Sequence, residues 1–151
     1  MIRFLFAAFA AVALPVFAAD PDPATMVITR DADIVWTDAP GMAGLKTSVV
    51  YGNPSMAGLY IIRVRFSPGT MSPPHFHPES RYIAVLKGTW FVGARPKWDR
   101  NATTAVPAGS FVVHHPNKIH YDGAKDEEVT LQIIGIGPSG TKLVDEAGQP
   151  K

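Results

Sequence analysis

Proline and glycine, 14 and 13 of the 151 residues, interrupt this chain so often that no stretch of it keeps a long helical period. Between the interruptions lie short runs rich in β-branched and aromatic residues: 26–29, 34–36, 47–51, 59–66, 82–86, 89–92, 110–113 and 129–136. Such runs read as strands. The punctuation is turn chemistry, as in Ala39-Pro40-Gly41, Gly52-Asn53-Pro54, Ser67-Pro68-Gly69, Lys87-Gly88, Pro107-Ala108-Gly109 and Gly137-Pro138. Many short strands at near-regular spacing predict an all-β sandwich or barrel. In the run 59–66, Tyr60, Ile62, Val64 and Phe66 alternate with Ile61, Arg63 and Arg65. One face is apolar and the other largely basic, so this strand is predicted to have a packed side and a wet side.

The first twenty residues differ from the rest. Met-Ile-Arg leads into an apolar run over residues 4–16, and the small residues Ala18 and Ala19 precede Asp20. That order reads as a secretory signal peptide over residues 1–18, cleaved after Ala18, which would place the mature chain in the periplasm or outside the cell. A lasting anchor is the competing reading, but the run is shorter than the ~20 residues of a spanning helix and contains Pro15. No membrane contact is expected after cleavage. Residues 19–25 are polar and proline-rich and read as a disordered lead-in. The chain has no cysteine, which excludes a lipidated cysteine, thiolate zinc sites and thiol catalysis even in an oxidising compartment. Its 14 Lys plus Arg nearly balance 13 Asp plus Glu without any basic run, so nucleic acid is excluded as the expected partner.

All five histidines fall in two clusters, His75 and His77, then His114, His115 and His120. On extended backbone, side chains alternate with period two, so His75 and His77 project to the same side. Two neutral imidazoles placed so can share a cation about 2.0–2.1 Å from each nitrogen, with a third supplied from elsewhere in the fold. His120 is the best placed third donor. A lone His-x-His in a proline-bounded loop, Pro73-Pro74-His75-Phe76-His77-Pro78, is a short signal, equally at home in a polar loop. Its surroundings add to it. Five residues separate Gly69 from His75, one separates His75 from His77, three separate His77 from Arg81 and six separate Arg81 from Gly88. After twenty intervening residues Gly109 opens a second segment that runs to His120.

This spacing resembles the two signatures of the cupin superfamily over roughly residues 59–136. The resemblance implies a cupin-type β-barrel, a double-stranded β-helix or jelly roll, over residues 26–140, with a polar tail over 141–151. It implies a divalent metal ion held by His75, His77 and His120, usually with a glutamate as fourth ligand. That glutamate position falls on Arg81, which is cationic and has no lone pair to offer. Three outcomes stay open: a three-histidine site with open positions, Glu79 swinging in as the fourth ligand, or a barrel that has lost its metal. Arg81 either faces the cavity, where it could hold an anionic substrate, or pairs with Glu79 or Asp122. In the second signature His115 stands where proline is usual, Asn117 replaces a glycine, which left-handed backbone tolerates, and Ala124 replaces an asparagine.

His114 and His115 are adjacent, so at most one looks into the barrel; His114 is read either as a pocket residue or as a satisfied core histidine. Gln132, polar in an apolar run, either orients a ligand or bonds backbone at a sheet edge. Tyr60, Trp90 and Tyr121 line a pocket or fill the core. Iron, zinc, manganese, nickel and copper all accept imidazole, so the ion is not named by its ligands. The expected function is that of an exported metal-binding cupin, an oxygenase-like enzyme acting on a small organic molecule. The alternative is a non-catalytic periplasmic cupin that binds or senses a metal or small ligand. A homodimer formed by strand exchange is a further expectation, since many cupins pair so.

Overall fold

The computed structural model describes residues 21–151, so the signal-peptide reading of residues 1–18 lies outside the described residues. One 3-10 turn, Asp31–Asp33, precedes eleven strands: β1 Thr37–Asp38, β2 Leu45–Tyr51, β3 Gly58–Phe66, β4 His75–Phe76, β5 Arg81–Lys87, β6 Thr89–Gly93, β7 Thr104–Pro107, β8 Phe111–His114, β9 Tyr121–Ala124, β10 Val129–Gly137 and β11 Lys142–Leu143. No α-helix occurs among the described residues. Six strands form one sheet in the order β1-β2-β3-β10-β5-β8, three form a second in the order β7-β6-β9, and β11 pairs with β4. Every pairing is antiparallel.

The expected strands from 47 to 136 are found with bounds shifted by at most two residues. The run 26–29 is not a strand; its Met26, Val27 and Ile28 are exposed, since no neighbouring edge pairs with them. The run 34–36 likewise leads into β1 without joining it. Five short strands, β1, β4, β7, β9 and β11, were hidden because each is only two to four residues long and none carries an extended β-branched run.

Alternation on β3 follows the expected pattern. Tyr60, Val64 and Phe66 are buried. On the opposite face the Arg63 guanidinium meets Asp31 at 2.7 Å and that of Arg65 lies 4.0 Å above the Trp36 ring. The segment leading into β1 is thus held against the basic face. The core takes Val64, Phe66, Ile83, Val85, Val129, Leu131 and Ile133 from the larger sheet and Trp90 and Ala124 from the smaller one. Burying one such side chain contributes about 1.5–3 kcal/mol, so this shared cluster is what clasps the two sheets together. The β5–β6 turn is made by Gly88 at φ 75°, where a Cβ would strike the carbonyl oxygen of Glu128.

The segment read as a polar tail is docked. Lys142 and Leu143 pair with Phe76 and His75, and Val144 is buried. A polar composition concealed the backbone pairing, which needs no apolar side chain.

Candidate metal centre

Pro73 and Pro74 hold the chain extended into β4, because proline fixes its own φ and disfavours helical backbone in the residue before it. His75 is then gripped from both edges. Leu143 of β11 pairs with it on one side, and on the other it exchanges two backbone hydrogen bonds with His120, at 2.8 and 2.9 Å. The turn before His120 contains Asn117 at φ 58°, the left-handed conformation expected of a residue in a glycine position. The Asn117 amide donates to the carbonyl of His77 at 2.7 Å, so the same turn ties the third histidine to the first two.

The three rings cluster. Centroids are 4.8 Å apart for His75 and His77, 4.3 Å for His75 and His120, and 5.1 Å for His77 and His120. Their donor nitrogens all lie within 4.8 Å of one another, and all three residues are buried. Each Nδ1 faces a backbone carbonyl: Pro73 at 2.8 Å from His75, Gly140 at 2.7 Å from His77 and Lys118 at 3.0 Å from His120. A carbonyl oxygen only accepts, so each Nδ1 carries the proton and each Nε2 of the neutral ring keeps its lone pair. Metal-binding histidine ordinarily donates its far ring N–H to such an acceptor, which fixes the ring's tautomer and orientation.

Electrostatics agree with neutral rings. Burial, helped by the Arg81 charge, pushes the His77 imidazole down to about 2 from an ordinary 6.5, and burial also lowers His120. A cation requires the deprotonated ring, so these residues are already in the ligating form at neutral pH. The Nε2 of His120 is buried and has no hydrogen-bond partner, an arrangement that suits a metal ligand better than a packed polar group.

A cavity of about 510 Å³ opens beside the cluster, within the range of small-molecule sites. Ile62, Val64, Ile83, Leu131 and Ile133 form apolar walls, and His75, His77, Arg81, His114 and Asp122 supply its polar end. His114 is buried on β8, with its ring 3.8 Å from that of His120 and 5.5 Å from Trp90. Burial, with the neighbouring His120, lowers it to about 4. The pocket reading of His114 therefore describes its position, and Trp90 also lines the cavity. Tyr60 and Tyr121 are instead fully buried, Tyr121 donating to the carbonyls of Asp99 and Ala102 at 2.9 and 3.2 Å.

Two expectations are corrected. Gln132 is not a pocket residue: Leu131 and Ile133 face the cavity, and strict alternation turns Gln132 to the other side of β10, between Arg63 and Ala84. Glu79 stands outside the grouped donors; its Oε1 is engaged by Tyr60 Oη at 3.0 Å, Ser139 Oγ at 2.5 Å and Arg81 Nε at 3.0 Å, while its Oε2 is buried without a hydrogen-bond partner. Arg81 combines both of its expected placements, lining the cavity while pairing with Glu79 and donating to Ser139 Oγ at 2.7 Å. Asp122 and Ser139 were missed as site residues. Asp122 had a signal, since it stands two positions after His120 and so shares its side; Ser139 had none.

Fold and site together define a cupin barrel with a histidine-built centre that could hold a divalent metal. Residues 24–139 match the family described as the ChrR cupin-like domain, and the chain belongs to that family. Among curated proteins it is similar to the germin-like protein subfamily 2 member 4 of Arabidopsis thaliana, 27% identical over 119 residues, covering 78% of this chain and 50% of the relative. It is also similar to subfamily 1 member 3 of the same plant, 34% identical over 98 residues, covering 60% and 42%. The chain thus spans about half or less of these relatives. Among solved structures, the polyketide cyclase RemF of Streptomyces resistomycificus superposes with a TM-score of 0.66 at 18% identity, covering 79% of this chain and 85% of that one. A cupin-2 domain protein of Rhodospirillum rubrum gives 0.62 at 16%, covering 81% and 82%. At such identities the structural likeness is one of fold alone.

Proposed function

We propose that this chain is an exported, periplasmic or secreted cupin that binds a divalent metal through His75, His77 and His120 and acts as an oxygenase-type enzyme on a small organic molecule. The observation that carries the reading is the set of three Nδ1 atoms tied to the carbonyls of Pro73, Gly140 and Lys118, which leaves three Nε2 lone pairs free in one buried cluster. An ion bound there supplies a Lewis acid and a template for an anion that chelates through oxygen. The chain's own residues do the rest. The apolar walls exclude water from an organic substrate, and Arg81, held in place by Glu79 and Ser139, favours an anionic one at the polar end. RemF supplies a precedent for catalysis on a similar fold, and its substrate does not transfer with the fold.

A second reading, a non-catalytic metal or small-ligand binder, draws on His114 and Asp122, which group with His120 and could close coordination positions that catalysis needs open. Oxygen uptake by the iron-loaded protein, measured across small dicarbonyls, phenols and thiols, separates the two. Uptake that disappears in His75→Ala supports the enzyme. Silence across the panel, together with tight retention of ion and ligand, supports the binder.

A further inference from the structure

The six-stranded sheet has two faces, and the cavity beside the candidate metal centre occupies only one. Ile62, Ile83, Leu131 and Ile133 line the cavity, so strict alternation turns Ile61, Tyr82 and Ile134 to the opposite face. The register then sets one residue from each of five strands side by side. Tyr51 pairs with Ile61, Ile61 with Ile134, Ile134 with Tyr82, and Tyr82 with Val113, a bulge after Val49 bringing Tyr51 into the row. Leu59 and Ile136 flank this row on one side, and Phe111 flanks it on the other. The result is an apolar band across β2, β3, β10, β5 and β8.

We infer that this band is a self-association surface, on which a second copy of the chain packs sheet against sheet about a two-fold axis running along β10. The inference goes beyond the metal-binding reading and does not depend on it.

The size of the band suits a second copy. Tyr51, Tyr82 and Phe111 are 59%, 45% and 63% exposed, and Leu59, Val113 and Ile136 are 47%, 37% and 60% exposed. An aromatic side chain offers about 150–250 Å², so with its aliphatic members the band presents on the order of 500 Å² of apolar surface per copy. Two copies would cover about 1,000 Å², which a polar rim brings to the ~1,200 Å² where stable interfaces begin.

Charge points the same way. Identical copies present identical charges to each other, so a face meets itself without repulsion only where unpaired charge is absent. The row carries no acid or base beyond two tyrosine hydroxyls, and Arg63, the next outward residue of β3, is already paired with Asp31 at 2.7 Å. The order of side chains is also self-complementary. A two-fold axis along β10 reverses the row, so Tyr51 meets Val113 of the second copy, Ile61 meets Tyr82, and Ile134 meets its own equivalent. Each ring of the row then faces an aliphatic side chain across the ~10 Å that separates packed sheets.

The test is sedimentation equilibrium of the protein purified from its native compartment, with near-ultraviolet circular dichroism of every variant as the check on folding. Wild type should be a concentration-dependent dimer. Ile134→Lys sets two ammonium groups against each other on the axis and should weaken dimerisation by at least about 100-fold. Tyr82→Glu, at an exposed position, and Ile61→Lys should each weaken it as well. Mixed in equal amounts, these last two should recover a dimer, because the carboxylate of one chain then meets the ammonium of the other. Wild type that stays monomeric, or native-like variants that dimerise as wild type does, would overturn the inference. Failure of the mixture to recover a dimer would overturn the two-fold pairing along β10.

Discussion

Acid should unfold the metal-free protein earlier than carboxylate protonation alone can account for, and His114 should carry a measurable share. Burial holds His114 at about 4 and His77 at about 2 against an ordinary 6.5, with His120 lowered in the same direction. Because the folded values lie below the unfolded ones, protons bind the unfolded chain first. The stabilising contribution is complete above pH 6.5 and is lost as the pH falls toward the folded value. Each such histidine costs up to about 1.4 kcal/mol per pH unit within that window, so His114 alone removes about 2 kcal/mol between pH 6.5 and 4.5. Glu79 is lowered because hydrogen bonds from Ser139 and the charge of Arg81 outweigh its burial, so its share is lost only below the ordinary 4.5, outside the window. Urea unfolding followed by tryptophan fluorescence at half-unit steps of pH, with chelator present, measures the slope. His114→Gln should flatten it by up to about 1.4 kcal/mol per pH unit. Identical slopes for wild type and variant would refute the claim that His114 is folded as a buried neutral ring.

Zinc at about 100 times its dissociation constant should stabilise the protein by about 2.7 kcal/mol, raising the melting temperature by several degrees in calorimetry, and His75→Ala should abolish the rise. Arg81→Met should destabilise by about 3–5 kcal/mol in denaturant titration, because it strands the Glu79 carboxylate; the double variant Glu79→Gln/Arg81→Met should recover most of that loss. Gly123→Ala should cost about 1–3 kcal/mol by the same titration, since the added Cβ would strike the Thr70 carbonyl and the Met71 Cα.

The long strands were legible because β3 and β10 carry β-branched runs and alternate cleanly, and the turns because glycine marks them at Gly88 and Gly109. The histidine pair was legible from period two together with the glycine spacing around it. What escaped detection depends on partners distant in sequence. β11 exists because its backbone meets His75, and β9 because Tyr121, Asp122 and Gly123 lie between β6 and the segment around Met71. Gln132 shows the opposite failure: its polarity suggested a role, whereas parity with its neighbours Leu131 and Ile133 already turned it outward. Glu79 could not be placed from sequence, because its partners Tyr60 and Ser139 stand 19 and 60 positions away.

Elemental analysis of the protein purified from its native compartment bears most directly on the three-histidine centre, with His75→Ala and His120→Ala prepared in parallel. One divalent ion per wild-type chain and almost none in either variant is the expected result. Equal metal content in all three samples, whether full or near zero, would contradict a centre built on these imidazoles.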